Sequence, residues 1–232
     1  MSADGATALA RLFLLLAYPL LAHRAGVRHD GALATLALAD LALVLLLQPL
    51  VRRRAWAWAT AAVLAAVLWR LAPMSLALQS LLLVPAVVIA FVGYAFGRTL
   101  RAGRVPLITR IVAAMDGVPP AQLAPELLRY TRGLTAAWAA LLATLALANL
   151  VLALLVVPDG LLAGAGIAPP VAIGEQAWSW WANGLNYGVV GAFFLLEFAL
   201  RKRRFPGRYR HFLHFLQRMA RLGPGFWRDV FR

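Results

Sequence analysis

Six runs of apolar residues, each about as long as a bilayer is thick, constrain this chain more than anything else in it. They occupy 6–22, 32–50, 55–71, 74–96, 134–157 and 177–200. A membrane-spanning helix needs about 20 mostly apolar residues, within a range of roughly 17–25. Composition agrees. Of the 232 residues, 62% are hydrophobic and 14% are charged, and the mean hydropathy is +0.76. A soluble domain is about 45–50% apolar and about 25% charged. One water-facing core of this size cannot hide so much apolar surface, and disorder requires the opposite composition. The expected fold class is an all-α polytopic membrane protein with about six transmembrane helices. The expected organisation is a six-helix transmembrane domain over 1–200, which includes a loop at 97–133, followed by a basic amphipathic tail over 201–232.

Local features support the runs as helices. The first has one basic residue, Arg11, ahead of its apolar core, and His23 and Arg24 stand where a cleavage site would need small residues. It reads as a retained helix rather than a signal peptide. Trp56 and Trp58 open the third run and Trp69 closes it, as two interfacial aromatic belts would. Trp178, Trp180 and Trp181 mark the start of the sixth. Pro19 and Pro85 lie inside runs, where neighbouring helices re-satisfy the freed carbonyls, so kinks are expected there.

Charge sets the orientation. Arg11, Arg52 to Arg54, six arginines in the 97–133 loop and ten basic residues in the tail place 20 Lys/Arg on one side of a six-helix arrangement. Arg24, Arg28 and Arg70 place 3 on the other. Cytoplasmic loops carry the excess of Lys and Arg, so both termini are expected inside, in a multi-pass protein of the bacterial inner membrane. The 158–176 loop holds Asp159 and Glu175 with no basic residue and is expected outside. Only Lys202 among the basic residues is lysine, and Ala, Leu and Gly are abundant. That pattern fits GC-rich coding, so the preference for arginine is not itself a mark of an anion site.

The 97–133 loop is the most distinctive stretch. Leu107, Ile108, Ile111, Val112 and Met115 fall at helical spacing, which predicts a short amphipathic helix ending near Gly117. Val118-Pro119-Pro120 breaks it. A second helix is expected to start near Pro125 and run into the fifth apolar run, with Glu126 and Arg129 as an i,i+3 pair and Tyr130 on the face of Glu126. Arg98, Arg101, Arg104, Arg110, Arg129 and Arg132, together with Tyr130, are the candidate contacts to phosphate or anionic lipid. Two readings stand side by side. The arginines are interfacial anchors, each contributing about 1 kcal/mol beside an anionic surface. Or Gly97 and Gly103 bend the chain so that several guanidinium groups converge on one phosphate, from a phosphopantetheine arm, a lipid headgroup or a polyprenyl phosphate.

The tail opens with RKRRFPGRYR and continues with Phe212, Leu213, Phe215, Leu216, Met219 and Leu222 opposite His211, His214, Arg218 and Arg221. It reads as a helix lying in the membrane surface. His211 and His214 have no third ligand on their side, so no metal is expected. The basic clusters are all juxtamembrane, so nucleic acid is not an expected partner.

Among the polar residues within the apolar runs, Asp40, Asn149, Asn183, Asn186 and Glu197 are the candidates for a functional or packing role. A charge such as Asp40 at the bilayer centre costs about 2.5–3.5 kcal/mol on insertion scales. It is either a proton, cation or catalytic site or a hydrogen-bonded packing group, and Gln48, Gln79, Thr144 and Asn149 are candidate partners. Glu197 precedes Arg201 by four residues, the favoured order for a local ion pair. Asn183 and Asn186 stand among Gly184, Gly188 and Gly191, a pattern suited to close helix approach. No G-x-S-x-G, H-E-x-x-H, phosphate-binding loop or dinucleotide fingerprint is present, and there are no cysteines. No catalytic residue and no cofactor are expected, and an enzyme is the less favoured reading.

The strings FGRTLRAGRVPLITR and LAPELLRYTRGLTAAW carry a family resemblance. The chain resembles a group of poorly characterised bacterial multi-pass inner-membrane proteins, typically encoded among fatty-acid-synthase-like genes for aryl polyene or xanthomonadin-type pigments. Gly97, Arg98, Gly103, Arg104, Pro106, Leu107, Arg110, Tyr130, Thr131 and Arg132 match that pattern, and Val105 departs from it where an acidic residue is common. The resemblance covers residues 90–140 and, elsewhere, hydropathy alone. It implies a link to envelope lipid or polyene assembly and assigns no reaction. Two functions follow as expectations. One is an accessory membrane protein whose arginine-rich loop contacts anionic membrane lipids, with acyl carrier protein or another biosynthetic protein as partner. The alternative is a transporter or flippase moving a lipid or small solute past Asp40.

Overall fold

The computed structural model describes residues 3–71, 76–174, 177–178, 180–181 and 184–205. The chain is mostly helical. Helices α2 (Gly31–Val51), α4 (Leu76–Arg98) and α6 (Pro125–Leu155) are each long and apolar enough to cross a membrane. Helix α1 (Ala3–Arg28) contains the first apolar run, and α3 (Ala55–Leu71) is apolar over its 17 residues. The last helix among the described residues, α8 (Val190–Arg204), follows a π-helical turn at Gly184–Val189. Large apolar side chains, among them Phe13, Leu45, Phe91, Leu147 and Leu196, are exposed along these helices. Soluble monomers rarely leave that much contiguous apolar surface facing water. The expected tail helix, with His211 and His214, and Asn183 of the sixth run lie outside the described residues.

The chain divides into two compact units. One comprises Met1–Pro85 and Leu150–Glu175, the other Ala86–Asn149 and Gln176–Arg232.

In the first unit α1 and α2 form a helical hairpin joined at His29 and Asp30. His29 turns the chain in the left-handed region, at φ 49°. Asp30 then starts α2, because its Oδ1 accepts from the amides of Ala32 and Leu33 at 2.8 and 3.2 Å. Those amides have no partner within the helix, and a side-chain cap satisfies them. The helices pack through small residues: Ala25, Ala34 and Ala77 are fully buried, beside Leu78, Leu33 and Leu81. Alanine at such contacts lets helix backbones approach closely. The 156–174 segment is more structured than a polar loop. Val156 and Val157 pair in parallel with Ile173 and Gly174 as β1 and β2, and a short helix, α7 (Leu161–Gly164), lies between them. Glycine is required at 160, where the obstacle is backbone, whereas at 164 a side chain would have to displace only the end of Gln79. A Cβ on Gly160 would fall 1.9 Å from the Val156 carbonyl oxygen, and one on Gly164 would fall 1.5 Å from Gln79 Nε2. His29 Nδ1 lies 2.6 Å from Asp159 Oδ2, which ties the hairpin turn to this segment.

The second unit has its core where α5 (Leu107–Asp116) packs on α6. Ile108, Val112, Ala113, Leu123, Leu127 and Leu134 are buried together, with Phe96, Trp138 and Phe193 against them. Helix α5 stops where its sequence pattern predicts, at Gly117, whose φ of 69° is the left-handed cap that glycine adopts without strain. A 3-10 turn at Pro120–Gln122 leads to α6, which begins at Pro125. Trp138 meets Phe193 edge-on, with ring centroids 4.7 Å apart.

Where α4 meets α6 in this unit the approach is close. A Cβ on Gly93 would lie 3.1 Å from Leu142 Cβ, whereas one on Gly97 would lie 4.0 Å from Ala139 Cβ. Gly93→Val is therefore expected to destabilise the protein by about 1–3 kcal/mol, as overpacking does, and Gly97→Ala to be neutral. Thermal unfolding of the two purified variants in detergent checks the contrast.

Candidate functional site

The arginine-rich segment of the second unit is built on a network of buried threonines. Helix α5 begins after Pro106, which offers no side-chain cap. Its first amides are satisfied from outside the helix. Leu107 N donates to Thr99 Oγ1 at 3.0 Å, and Ile108 N donates to Thr135 Oγ1 at 3.2 Å. Thr99 itself donates to the Phe96 carbonyl at 2.7 Å, and Thr135 to the Thr131 carbonyl at 2.8 Å. Thr131 donates to the Leu127 carbonyl at 2.9 Å, so its oxygen is left to accept from the Thr109 hydroxyl, 2.7 Å away. All four threonines are buried. The end of α4, the start of α5 and the first turns of α6 are thereby locked together. Thr99, Thr109, Thr131 and Thr135 have no place in the site expected from sequence, although Thr131 and Thr135, at i,i+4 on a helix, were a usable signal.

The arginines on this scaffold fall into two groups. Arg101, Arg104, Arg129 and Arg132 are exposed. Arg98 and Arg110 are half-buried and engaged in contacts of their own. Arg132 reaches from α6 to the loop after α4, where its Nη2 donates to the Leu100 carbonyl at 3.1 Å. This sets Arg132 next to Arg101 in the same loop. The Arg101 carbonyl accepts from Arg104 N at 3.2 Å, and Gly103 between them takes φ 78°. Arg101, Arg104 and Arg132 thus share one loop-and-helix corner.

Tyr130 is turned elsewhere. Its hydroxyl donates to Glu197 Oε1 at 2.9 Å. Arg201 donates to the same oxygen through Nε at 2.7 Å and Nη2 at 2.6 Å. Glu197 and Arg201 are each 6% exposed, which makes this a buried ion pair on α8 with a phenol from α6 as third member. Phe205 meets the Tyr130 ring edge-on at 5.3 Å, and Arg204 stands 5.9 Å from the centre of that ring. Glu126 pairs with Arg204 at 3.3 Å, across to α8, in place of the i,i+3 partner Arg129 expected on its own helix. Tertiary packing brings α8 to that face, and the sequence pattern shows only neighbours along one helix.

The polar candidates of the apolar runs separate as well. Asn149 and Asn186 form a reciprocal amide pair, with Nδ2 to Oδ1 distances of 2.7 and 3.0 Å, and Asn149 also donates to the Leu145 carbonyl at 2.8 Å. Asn186 sits in the π-helical turn. Asp40, in the first unit, is buried, and its Oδ2 has no hydrogen-bond partner. Among the described residues no group of three or more His, Cys, Asp or Glu is placed to hold a metal ion.

Removing one member of a buried ion pair leaves the other charge without compensation, at a cost of about 3–5 kcal/mol. Glu197→Ala is expected to lose that much stability, because Arg201 stays buried and Tyr130 loses its acceptor. Tyr130→Phe deletes one hydrogen bond and is expected to cost about 1 kcal/mol. The Glu197→Leu, Arg201→Met double variant removes both charges and is expected to recover most of the Glu197→Ala loss. Detergent-phase unfolding of the four proteins orders them.

Comparison of the chain with protein-family models, with curated proteins and with solved structures finds no match.

Proposed function

We propose that this chain is a six-span protein of the bacterial inner membrane with both termini in the cytoplasm. On this reading it acts as an accessory protein of envelope lipid or aryl-polyene-type biosynthesis, and its arginine-rich segment contacts anionic lipid or phosphate-bearing acyl intermediates. The observation that carries the reading is the exposed corner of Arg101, Arg104 and Arg132, with Arg129 one turn away on α6, held on a threonine-locked scaffold. The length of α6 supports it. Its 31 residues measure about 46 Å at the helical rise, against about 30 Å of hydrocarbon. About ten residues must therefore project, and the N-terminal turns that carry Glu126, Arg129, Tyr130 and Arg132 are the polar ones. The charge count, 20 basic residues on one side against 3 on the other, supports the orientation. The family resemblance of residues 90–140 supports the biosynthetic setting, with acyl carrier protein or another biosynthetic protein as partner.

The arrangement favours a lipid-facing surface over one convergent phosphate pocket, because Arg98 and Arg110 are drawn into contacts within the protein and Tyr130 is committed to Glu197. A surface contact needs charge, and lysine supplies it. A fixed donor needs the planar guanidinium. Arg101→Lys, Arg104→Lys and Arg129→Lys are expected to retain phosphatidylglycerol binding, whereas Arg132→Lys weakens it, since only arginine reaches Leu100 and lipid together. Native mass spectrometry of the full chain with phosphatidylglycerol, and with phosphatidylcholine as control, reads this. Equal losses for all four would favour a single phosphate pocket. Lipid and acyl-intermediate profiles of a deletion strain test the biosynthetic link, and an unchanged profile would remove it.

The orientation has its own check. Reporter fusions are expected to place the 97–133 loop and residue 232 in the cytoplasm and the 158–176 segment in the periplasm. A periplasmic reporter active after residue 232 rules the orientation out.

A further inference from the structure

Among the described residues, two buried side-chain polar atoms lack a hydrogen-bond partner, Arg11 Nε and Asp40 Oδ2. Both belong to the α1–α2 hairpin of the first unit. Asp40 is 7% exposed and is the only ionisable residue of α2. Gln48 and Gln79, the suggested partners within the same unit, leave its Oδ2 unbonded. A carboxyl kept for packing would be hydrogen-bonded, because buried polar groups nearly always are. An ionised carboxylate with no counter-charge, on a helix apolar enough to cross a membrane, is far more costly than a missing hydrogen bond. The bare oxygen therefore points to an occupant that comes and goes.

Chemistry narrows the occupant. Metal cations of this kind of site require several oxygen ligands, and no group of three or more His, Cys, Asp or Glu is assembled around Asp40 or elsewhere among the described residues. A proton needs a single oxygen. The charged and titratable residues on the surrounding elements leave that role to Asp40. Helix α1 carries Asp4, in its first turn, and Arg11, Tyr18, His23, Arg24 and Arg28. Counted from the His29–Asp30 turn, Tyr18 is at the level of Asp40, and Arg11 is about 12 Å farther along at the helical rise. Helix α3 carries only Arg70. The part of α4 in this unit carries none, and the 150–175 segment carries Asp159, which is paired with His29, and Glu175, which lies outside the described residues.

We propose that Asp40 is a proton-binding site, a carboxyl that takes up and releases one proton at Oδ2 inside the first unit. The activity is proton exchange within the membrane. It does not rest on the arginine surface, which lies in the other unit, and either reading can fail alone.

The test uses the full chain in detergent and in liposomes, treated with dicyclohexylcarbodiimide, an apolar reagent that adds to protonated carboxyls, and mapped by peptide mass spectrometry. Asp40 is expected to be modified preferentially over the other eight acidic residues. Its modification should fall by about tenfold or more between mildly acidic and mildly alkaline pH, as one titrating carboxyl requires. The adduct should vanish in Asp40→Asn and persist in Asp40→Glu. Because the wild-type chain supplies the main measurement, a poorly folding variant does not decide the outcome. Three results overturn the proposal: no adduct on Asp40 at any pH, an adduct that does not change with pH and so marks a permanently neutral packing acid, or protection by sodium ions, which marks a metal-cation site.

Discussion

A peptide group in hydrocarbon has no water to bond with, so each N–H and C=O must find its partner within the protein. Helices α2, α4 and α6 meet that condition over most of their length, with Pro49 in α2 and Pro85 in α4 each removing one donor, and their side chains are apolar enough for the same surroundings. The informative places are those where a helix starts, stops or departs from the ideal ladder. Asp30 caps α2 from within the chain's own turn. Helix α5, which starts after a proline, borrows Thr99 and Thr135 from its neighbours. The π-helical turn at Gly184–Val189 is where Asn186 meets Asn149. In the first two cases a polar side chain completes a bond that the backbone cannot make alone, and in the third two side-chain amides satisfy each other.

The two units solve their packing differently. The first is closed by alanine, with Ala25, Ala34, Ala37, Ala57 and Ala77 fully buried, so its helices approach closely and little side-chain volume lies between them. The second is closed by larger apolar and aromatic groups around Ile108, Leu127 and Trp138, reinforced by hydroxyls and by the buried Glu197–Arg201 pair. Close backbone packing leaves few groups able to meet a polar atom, and the unpartnered oxygen of Asp40 is found in the alanine-packed unit. Among the described residues of the second unit no buried side-chain polar atom lacks a partner, and threonine, asparagine and tyrosine supply several of those partners at its helix contacts.

Arginine is used in several ways among the described residues of the second unit. Arg201 is internal and neutralises Glu197. Arg132 bridges, with one N–H on Leu100 and the rest of the guanidinium exposed. Arg101, Arg104 and Arg129 are presented outward. A charge count treats them alike, yet only the last two groups can act on a partner outside the protein. The net charge of +14 therefore overstates what this surface offers to an anion.

The helical class, the apolar runs, the amphipathic α5 with its stop at Gly117 and the start of α6 at Pro125 were legible in the sequence. Each is dictated by residues within a few turns of one another: hydropathy over about 20 residues, a 3.6-residue period, a proline or a glycine. The ion pair of Glu197 with Arg201 was legible for the same reason, since four residues on one helix suffice to bring them together. What only the tertiary structure decided involves distant parts of the chain. Tyr130 joins Glu197 across 67 residues, Asn149 joins Asn186 across 37, and Ile108 joins Thr135 across 27. Glu126 takes Arg204 and leaves Arg129, because a neighbouring helix offers a partner that local spacing cannot reveal. That Asp40 has an oxygen with no partner is likewise a tertiary fact, for a sequence shows which residues could reach a buried carboxyl but not which of them do.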